Sequence, residues 1–144
     1  MKNIYLIILS LICFYTHAQL EETDGEQRWE VIGSKKDGTV FLKLEGRNLY
    51  QFSFLNYQLS SDKMIQTIFL NSSDIDVQNL YRFLLKSFDL IEPRKSLFKI
   101  DKYEFQVMKN EDDIKISIKS VDLNKIIGWV PFTRGDINSL FGKY

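Results

Sequence analysis

The side chains that most often carry out catalysis near neutral pH are almost missing from this chain. Its one cysteine and its one histidine, Cys13 and His17, both lie within the first 18 residues. Thiolate and imidazole groups supply most nucleophilic and general-base catalysis, and most ligands for zinc, copper and haem. Once residues 1–18 are removed, the chain has neither group. We therefore predict a protein that is not an enzyme and that needs no cofactor or metal ion.

The first 18 residues have the pattern of a secretory signal peptide. Lys2 gives a basic start, residues 4–15 form an apolar run, and residues 16–18 (Thr-His-Ala) make a small-x-small cleavage site before Gln19. The apolar run is about a dozen residues long, whereas a membrane-spanning helix needs about 20. We predict cleavage and export to the periplasm or the extracellular space, with no stable membrane anchor afterwards.

Other reactive groups occur, but their spacing gives little support for catalysis. Ser60 with Lys63 and Ser96 with Lys99 have the Ser-x-x-Lys spacing that places a serine beside a lysine on a helix. Neither pair lies in a helical pattern. The acidic residues 111–113 lack the spaced oxygen ligands of a calcium loop and are typical of a hairpin turn. An enzyme that uses carboxylates, serine or lysine remains an alternative.

Charge and aromatic content bear on the kind of partner. The chain has 19 basic and 19 acidic residues, so it has no overall positive field and we predict that it does not bind nucleic acid. Aromatic residues make up 14% of the chain, and most should be core. Trp129, Phe132 and Tyr57 are the candidates for partner binding, because an exposed aromatic ring can dock a protein or stack on a sugar. The alternative is that they close the core.

Alternation of apolar and polar residues predicts strands on both sides of one long helix. A first hairpin over residues 29–44 would pair Val31 with Val40 and Trp29 with Leu42. A second hairpin predicts three pairs on one face, which are Leu44 with Tyr50, Leu42 with Phe52, and Val40 with Phe54. Residues 64–70 form a mixed apolar run, which predicts a more fully buried strand.

The apolar period then changes from two to about 3.6 residues. One helix face over residues 74–90 carries five apolar residues, Val77, Leu80, Tyr81, Leu84 and Phe88. Ser73 is the predicted N-cap, and Pro93 must end the helix. Strands return after Pro93, with Val107 opposite Ile116 and Phe105 opposite Ile118. Pro131 places the last strand at a sheet edge, and residues 136–141 predict a short closing helix.

These elements predict an α+β fold, with no internal repeat apparent in the sequence. Residues 28–144 should form a single domain after a flexible polar leader at 19–27. We expect one twisted antiparallel sheet of about six or seven strands, with one long helix on its apolar face and a short C-terminal helix.

Export together with the missing catalytic residue types predicts a non-catalytic binding or accessory module. Its partner would be an envelope or extracellular protein. Three alternatives remain at this level: a structural envelope-associated protein without a ligand, a carboxylate-based enzyme, and a carrier of a hydrophobic ligand.

Overall fold

The computed structural model describes residues 29–58, 64–90 and 94–143. The predicted signal peptide, the leader, the Ser60–Lys63 pair and Pro93 lie outside the described residues. The described chain contains eight strands and two helices: β1 (Glu30–Ser34), β2 (Val40–Glu45), β3 (Leu49–Leu55), β4 (Ile65–Asn71), α1 (Asp74–Ser87), β5 (Lys95–Ile100), β6 (Tyr103–Asn110), β7 (Asp113–Ser120), β8 (Lys125–Phe132) and α2 (Arg134–Leu140).

The strands form two sheets, and the predicted single sheet of six or seven strands is wrong. Each sheet is a four-stranded antiparallel meander, in the orders β1-β2-β3-β4 and β5-β6-β7-β8. The α+β class and the antiparallel pairing are confirmed. Apolar alternation predicts which strands pair across a tight turn, because the turn fixes the register. It does not tell which sheet a strand joins after a helix, and α1 separates β4 from β5.

Most of the predicted registers are confirmed. The second hairpin pairs Leu44 with Tyr50, Leu42 with Phe52, and Val40 with Phe54, and β6–β7 pairs Val107 with Ile116 and Phe105 with Ile118. The first hairpin is different, because Val31 lies opposite Lys43 and the register shifts between Val31 and Gly33. A Cβ on Gly33 would collide with the carbonyl oxygens of Ser139 and Leu140. The close approach of α2 to β1 therefore accounts for the glycine beside this bulge.

Helix α1 begins as predicted and packs into the space that both sheets enclose. The Ser73 hydroxyl accepts a hydrogen bond from the backbone N–H of Asp76. Four of the five residues on the predicted face are buried, and Tyr81 is half-buried. Arg82 and Lys86 are exposed, as expected for the opposite face. The apolar face meets residues of both sheets, including Leu42, Phe52, Phe105 and Ile116.

Strand β4 is not the buried strand that its apolar run predicted. It is the outermost described strand of the first sheet, and among the described strands it pairs with β3 alone. Ile68 and Leu70 face the core, but Ile65 is 60% exposed and Phe69 is 46% exposed. A strand with apolar residues on both faces is typically central in its sheet. The exposed Ile65 and Phe69 on an outermost strand therefore require another explanation.

The two halves of the chain follow the same plan, which the sequence pattern did not reveal. Each half is a four-stranded meander that ends in a helix. In the first half, the Ser73 hydroxyl donates a hydrogen bond to the Asp76 carboxylate at 2.6 Å. In the second half, the Thr133 hydroxyl donates to the Asp136 carboxylate at 2.8 Å, and both residues lie 60 positions after their counterparts. The same offset of 60 relates two pairs of buried apolar residues, Val77 with Ile137 and Leu80 with Leu140. The strands differ too much in sequence and spacing for the repeat to be visible without the structure.

Candidate partner-binding surface

The outer edge of β8 is hydrogen-bonded to residues that directly follow β1 and β3 of the first sheet. Three successive outward carbonyl oxygens each accept a hydrogen bond from the other half of the chain: Ile127 O from Asn56 Nδ2 at 3.0 Å, Trp129 O from Tyr57 N at 3.0 Å, and Pro131 O from Lys35 Nζ at 3.1 Å. Because Pro131 has no N–H, it suits this edge, as the sequence predicted. These bonds fix residues 56–57 against β8.

Asn56 is the centre of this junction. Its side chain is 3% exposed, and its Oδ1 accepts hydrogen bonds from Gln58 N at 2.9 Å and from Trp129 N at 3.4 Å. A Cβ on Gly128 would lie 2.6–2.8 Å from the atoms of the Asn56 amide group. Only glycine leaves room for this amide. The junction therefore sets the position of Tyr57 relative to Trp129.

Trp129 lies on the outer face of the second sheet, since its neighbours Val130 and Phe132 point into the core. The Trp129 ring lies 5.3 Å from the Tyr57 ring, measured between centroids. The Lys115 ammonium lies 4.1 Å from the Trp129 centroid, within the range of a cation–π interaction. Strand pairing brings Lys115 here, because it lies opposite Pro131, two residues along β8 from Trp129.

A groove of about 410 Å³ adjoins this cluster. Its apolar lining includes Met108, Trp129 and Pro131, and its polar lining includes Lys109, Asp113 and Lys115. Met108 is 43% exposed. We refer to this area as the Trp129 surface, defined by Tyr57, Met108, Lys115, Trp129 and Pro131. Apolar rings and a thioether surrounded by charges of both signs are typical of a surface that contacts another molecule.

The three residues predicted from the sequence to bind a partner do not all lie on one surface. Tyr57 and Trp129 are in ring contact, and Tyr57 is 39% exposed. Phe132 is 1% exposed and belongs to the core, so it cannot contribute to a binding surface. Sequence reasoning missed Met108 and Lys115. The pairing of β7 with β8 would have located Lys115, but the sequence did not give that register.

The candidate catalytic and metal-binding groups that lie within the described residues are not arranged for those roles. Ser96 and Lys99 lie on strand β5, where residues three apart point to opposite faces of the sheet. Glu111, which has a φ of 52°, and Asp112 form the turn between β6 and β7, as predicted. Within residues 29–58, 64–90 and 94–143, no group of three or more His, Cys, Asp or Glu side chains is placed to hold a metal ion.

Three described groups have displaced pKa values, and each lies away from the groove. The Thr39 hydroxyl lowers the pKa of Asp37 at the β1–β2 turn, and the Ser73 hydroxyl lowers the pKa of Asp76 at the start of α1. Burial, together with the carboxylate of Asp74, raises the pKa of Tyr50. These shifts follow from a turn, a helix cap and a buried phenol.

No helix in the part of the chain that the structure describes has the length and apolar character needed to cross a membrane. We compared the chain with protein-family models, with curated proteins and with solved structures, and none of the three comparisons gave a match.

Proposed function

We propose that this chain is an exported, non-catalytic binding module that holds an envelope or extracellular protein on the Trp129 surface. The contact between Tyr57, Trp129 and Lys115 beside an open groove carries this proposal. Export rests on the pattern of residues 1–18, and the non-catalytic role rests on the residue types that follow them.

A protein partner fits this surface better than a sugar does. Trp, Tyr and Met are enriched where proteins meet, and a few aromatic anchors supply most of the binding energy. A sugar would stack on the open face of an indole ring. The ammonium of Lys115, 4.1 Å from the centroid of Trp129, already covers one face. The Asn56 junction holds the rings in place before binding, which reduces the entropy cost of association.

The other functional classes have less support. A carrier needs an apolar cavity of several hundred cubic ångströms for its ligand. The space between α1 and the two sheets is only about 10 Å³, which is too small for more than about one water molecule. An enzyme needs converging reactive groups, and the Ser96–Lys99 pair does not converge. A structural protein without a ligand would have no use for an exposed Tyr57 ring in contact with a half-buried Trp129 ring beside a groove.

Affinity capture tests the proposal. The tagged protein would be recovered from the native envelope fraction, and its co-purified proteins quantified by mass spectrometry. We expect at least one partner that Trp129→Ala depletes by at least about tenfold, equivalent to about 1.4 kcal/mol. Trp129→Phe, which keeps a ring, should retain most of that partner.

Ile75→Ala is the matched control. Ile75 is 71% exposed on α1, so this variant removes an exposed apolar side chain from a different part of the molecule. It should retain the partner in full. Equal recovery with Trp129→Ala and with the parent, both showing the same melting temperature, would contradict a role for the Trp129 surface.

A further inference from the structure

The outer edge of β4 carries backbone groups with which no residue within 29–58, 64–90 or 94–143 pairs. Hydrogen bonds from Asn56 N to Met64 O at 3.0 Å and from Ser72 N to Asn48 O at 2.8 Å show that even-numbered residues of β4 bond to β3. Odd-numbered residues must then direct their N–H and C=O groups away from the sheet. The N–H of Asn71 does so, and it donates to Asp101 Oδ2 at 3.0 Å. The edge left without a described partner consists of Ile65, Thr67 and Phe69.

The other three sheet edges are protected in ways that β4 is not. Three outward carbonyl oxygens of β8 accept hydrogen bonds from residues that directly follow β1 and β3. Strand β1 lies against α2. Strand β5 carries exposed Lys95 and Lys99, which are typical residues of an edge that avoids pairing. Residues 64–71 contain no charge and no proline. An edge of this composition is one that pairs.

We propose that β4 pairs antiparallel with β4 of a second copy of this chain, about a twofold axis at Thr67. Ile65 then lies opposite Phe69 of the second copy, and Thr67 lies opposite its own counterpart. Each of the three outward residues donates and accepts one backbone hydrogen bond, about six bonds in all. The β1–β4 sheet of one copy and the β1–β4 sheet of the second copy then form one continuous sheet of eight strands. This proposal does not depend on the Trp129 surface.

The side chains of β4 favour its own copy as the occupant. The symmetric register places Ile65 and Phe69, 60% and 46% exposed, in a β-branched–aromatic pair on one face, and such pairs stabilise neighbouring strands. Thr67 with Thr67 is likewise a favourable pair. The Trp29 ring, 6.1 Å from Phe69, extends this apolar area. The same symmetric pairing of β5 about Leu97 would place Lys95 opposite Lys99, and like charges oppose it.

A single introduced thiol tests the register. In a hydrogen-bonded antiparallel pair the Cα atoms are about 5.5 Å apart, within the range that a disulfide spans. A chain carrying Cys13→Ser and Thr67→Cys has no other cysteine, whether or not residues 1–18 are removed. Mild oxidation should give a dimer that resists SDS and is lost on reduction. Leu97→Cys is the control, at the central outward position of β5; Leu97 is 53% exposed and Thr67 is half-buried, so greater access alone would favour the control, which should nevertheless remain monomeric.

Sedimentation equilibrium of the chain with its natural Thr67 provides the second measurement. We expect the mass of two chains, and we expect Thr67→Pro to weaken the dimer by at least about tenfold. Proline removes an N–H that no bond within the sheet uses, and it removes a hydroxyl that lies 2.9 Å from the Ser53 hydroxyl. Ser53 keeps the hydrogen bond that it accepts from Gln51 Nε2, so the fold should survive. Phe69→Lys provides a second variant with the same expected effect, should Thr67→Pro not fold.

Three results would overturn the proposal. The first is a protein that remains monomeric at every soluble concentration. The second is a Thr67→Cys chain that cross-links no more than Leu97→Cys, or that cross-links to a different protein. The third is a dimer that both Thr67→Pro and Phe69→Lys leave intact.

Discussion

The ring of Tyr81 lies 5.2 Å from the ring of Phe141, and the two residues occupy the same position after the N-caps of their helices. The Tyr81 hydroxyl also donates to Asn138 Oδ1 at 2.9 Å. The two halves of the chain therefore meet through equivalent residues, Tyr81 within α1 and Phe141 at the C-cap of α2. Each half alone would leave the apolar face of its sheet uncovered, so the halves share one core.

The buried face of α1 should dominate stability. Leu84 is 2% exposed, whereas Arg82 is exposed on the opposite face. Leu84→Asp should unfold the domain or lower its free energy of unfolding by more than about 4 kcal/mol, because a buried unpaired charge adds to the lost packing. Arg82→Glu should change that free energy by no more than about 0.5 kcal/mol. Urea denaturation followed by circular dichroism measures both, and parent-like curves for Leu84→Asp would mean that the helix is undocked.

The junction between the sheets should not tolerate a side chain at position 128. Gly128→Ala places a methyl group against the Asn56 amide and should cost about 2–3 kcal/mol through overpacking and lost hydrogen bonds. Gly135→Ala is the matched control, since its Cβ would meet nothing closer than 3.8 Å. It should leave stability unchanged or raise it by up to about 1 kcal/mol. Equal thermal stability of the two variants would contradict the packing described for Asn56.

The N-cap of α1 should be visible in a pH titration. The Ser73 hydroxyl is the main cause of the lowered pKa of Asp76. A carboxyl whose pKa is lower in the folded state stabilises the fold at pH values above its unfolded pKa of about 3.9, and that stabilisation is lost as the pH falls through the folded pKa. NMR titration of the Asp76 carboxyl carbon should therefore give a midpoint below about 3.9.

Two variants test whether the Ser73 hydroxyl is the cause of the lowered Asp76 midpoint. Ser73→Ala should raise the Asp76 midpoint towards its ordinary value. Thr133→Ala, which removes the equivalent hydroxyl from α2, should leave the Asp76 midpoint where it is. An Asp76 midpoint that does not respond to Ser73→Ala would assign the lowered pKa to another cause.

Export should be visible in the mass of the protein recovered from cells. The pattern of residues 1–18 predicts a chain that begins at or near Gln19. Intact-mass spectrometry of protein from the periplasm or the medium measures this directly. Full-length chain confined to the cytosol would disprove export and would remove the argument for an envelope partner.

Local structure could be predicted from this sequence wherever a turn or a cap fixes it. The hairpin of β2 with β3, the hairpin of β6 with β7 and the Ser73 cap all depend on residues close together in the chain. The β1–β2 bulge could not be predicted, because Gly33 beside it packs against the carbonyl oxygens of Ser139 and Leu140 at the far end of the chain. The division into two sheets depends in the same way on contacts between distant residues.

The candidate surface was predictable only in part, for the same reason. Trp129 and Tyr57 stand out as aromatic residues near loops, and their contact depends on the bond from Tyr57 N to Trp129 O. Met108 and Lys115 join them through sheet pairing. Phe132 resembles Trp129 in sequence context, but alternation along β8 turns its ring into the core.

In vivo photo-cross-linking from the groove tests most directly whether the Trp129 surface binds a partner. A photoreactive amino acid would replace Met108, which lines the groove, or Ile75, which lies on α1. Illumination should join the chain to a second protein from position 108 and not from position 75, and Trp129→Ala should abolish that product. Products of equal yield from both positions, or a product from position 108 that persists with Trp129→Ala, would contradict the account.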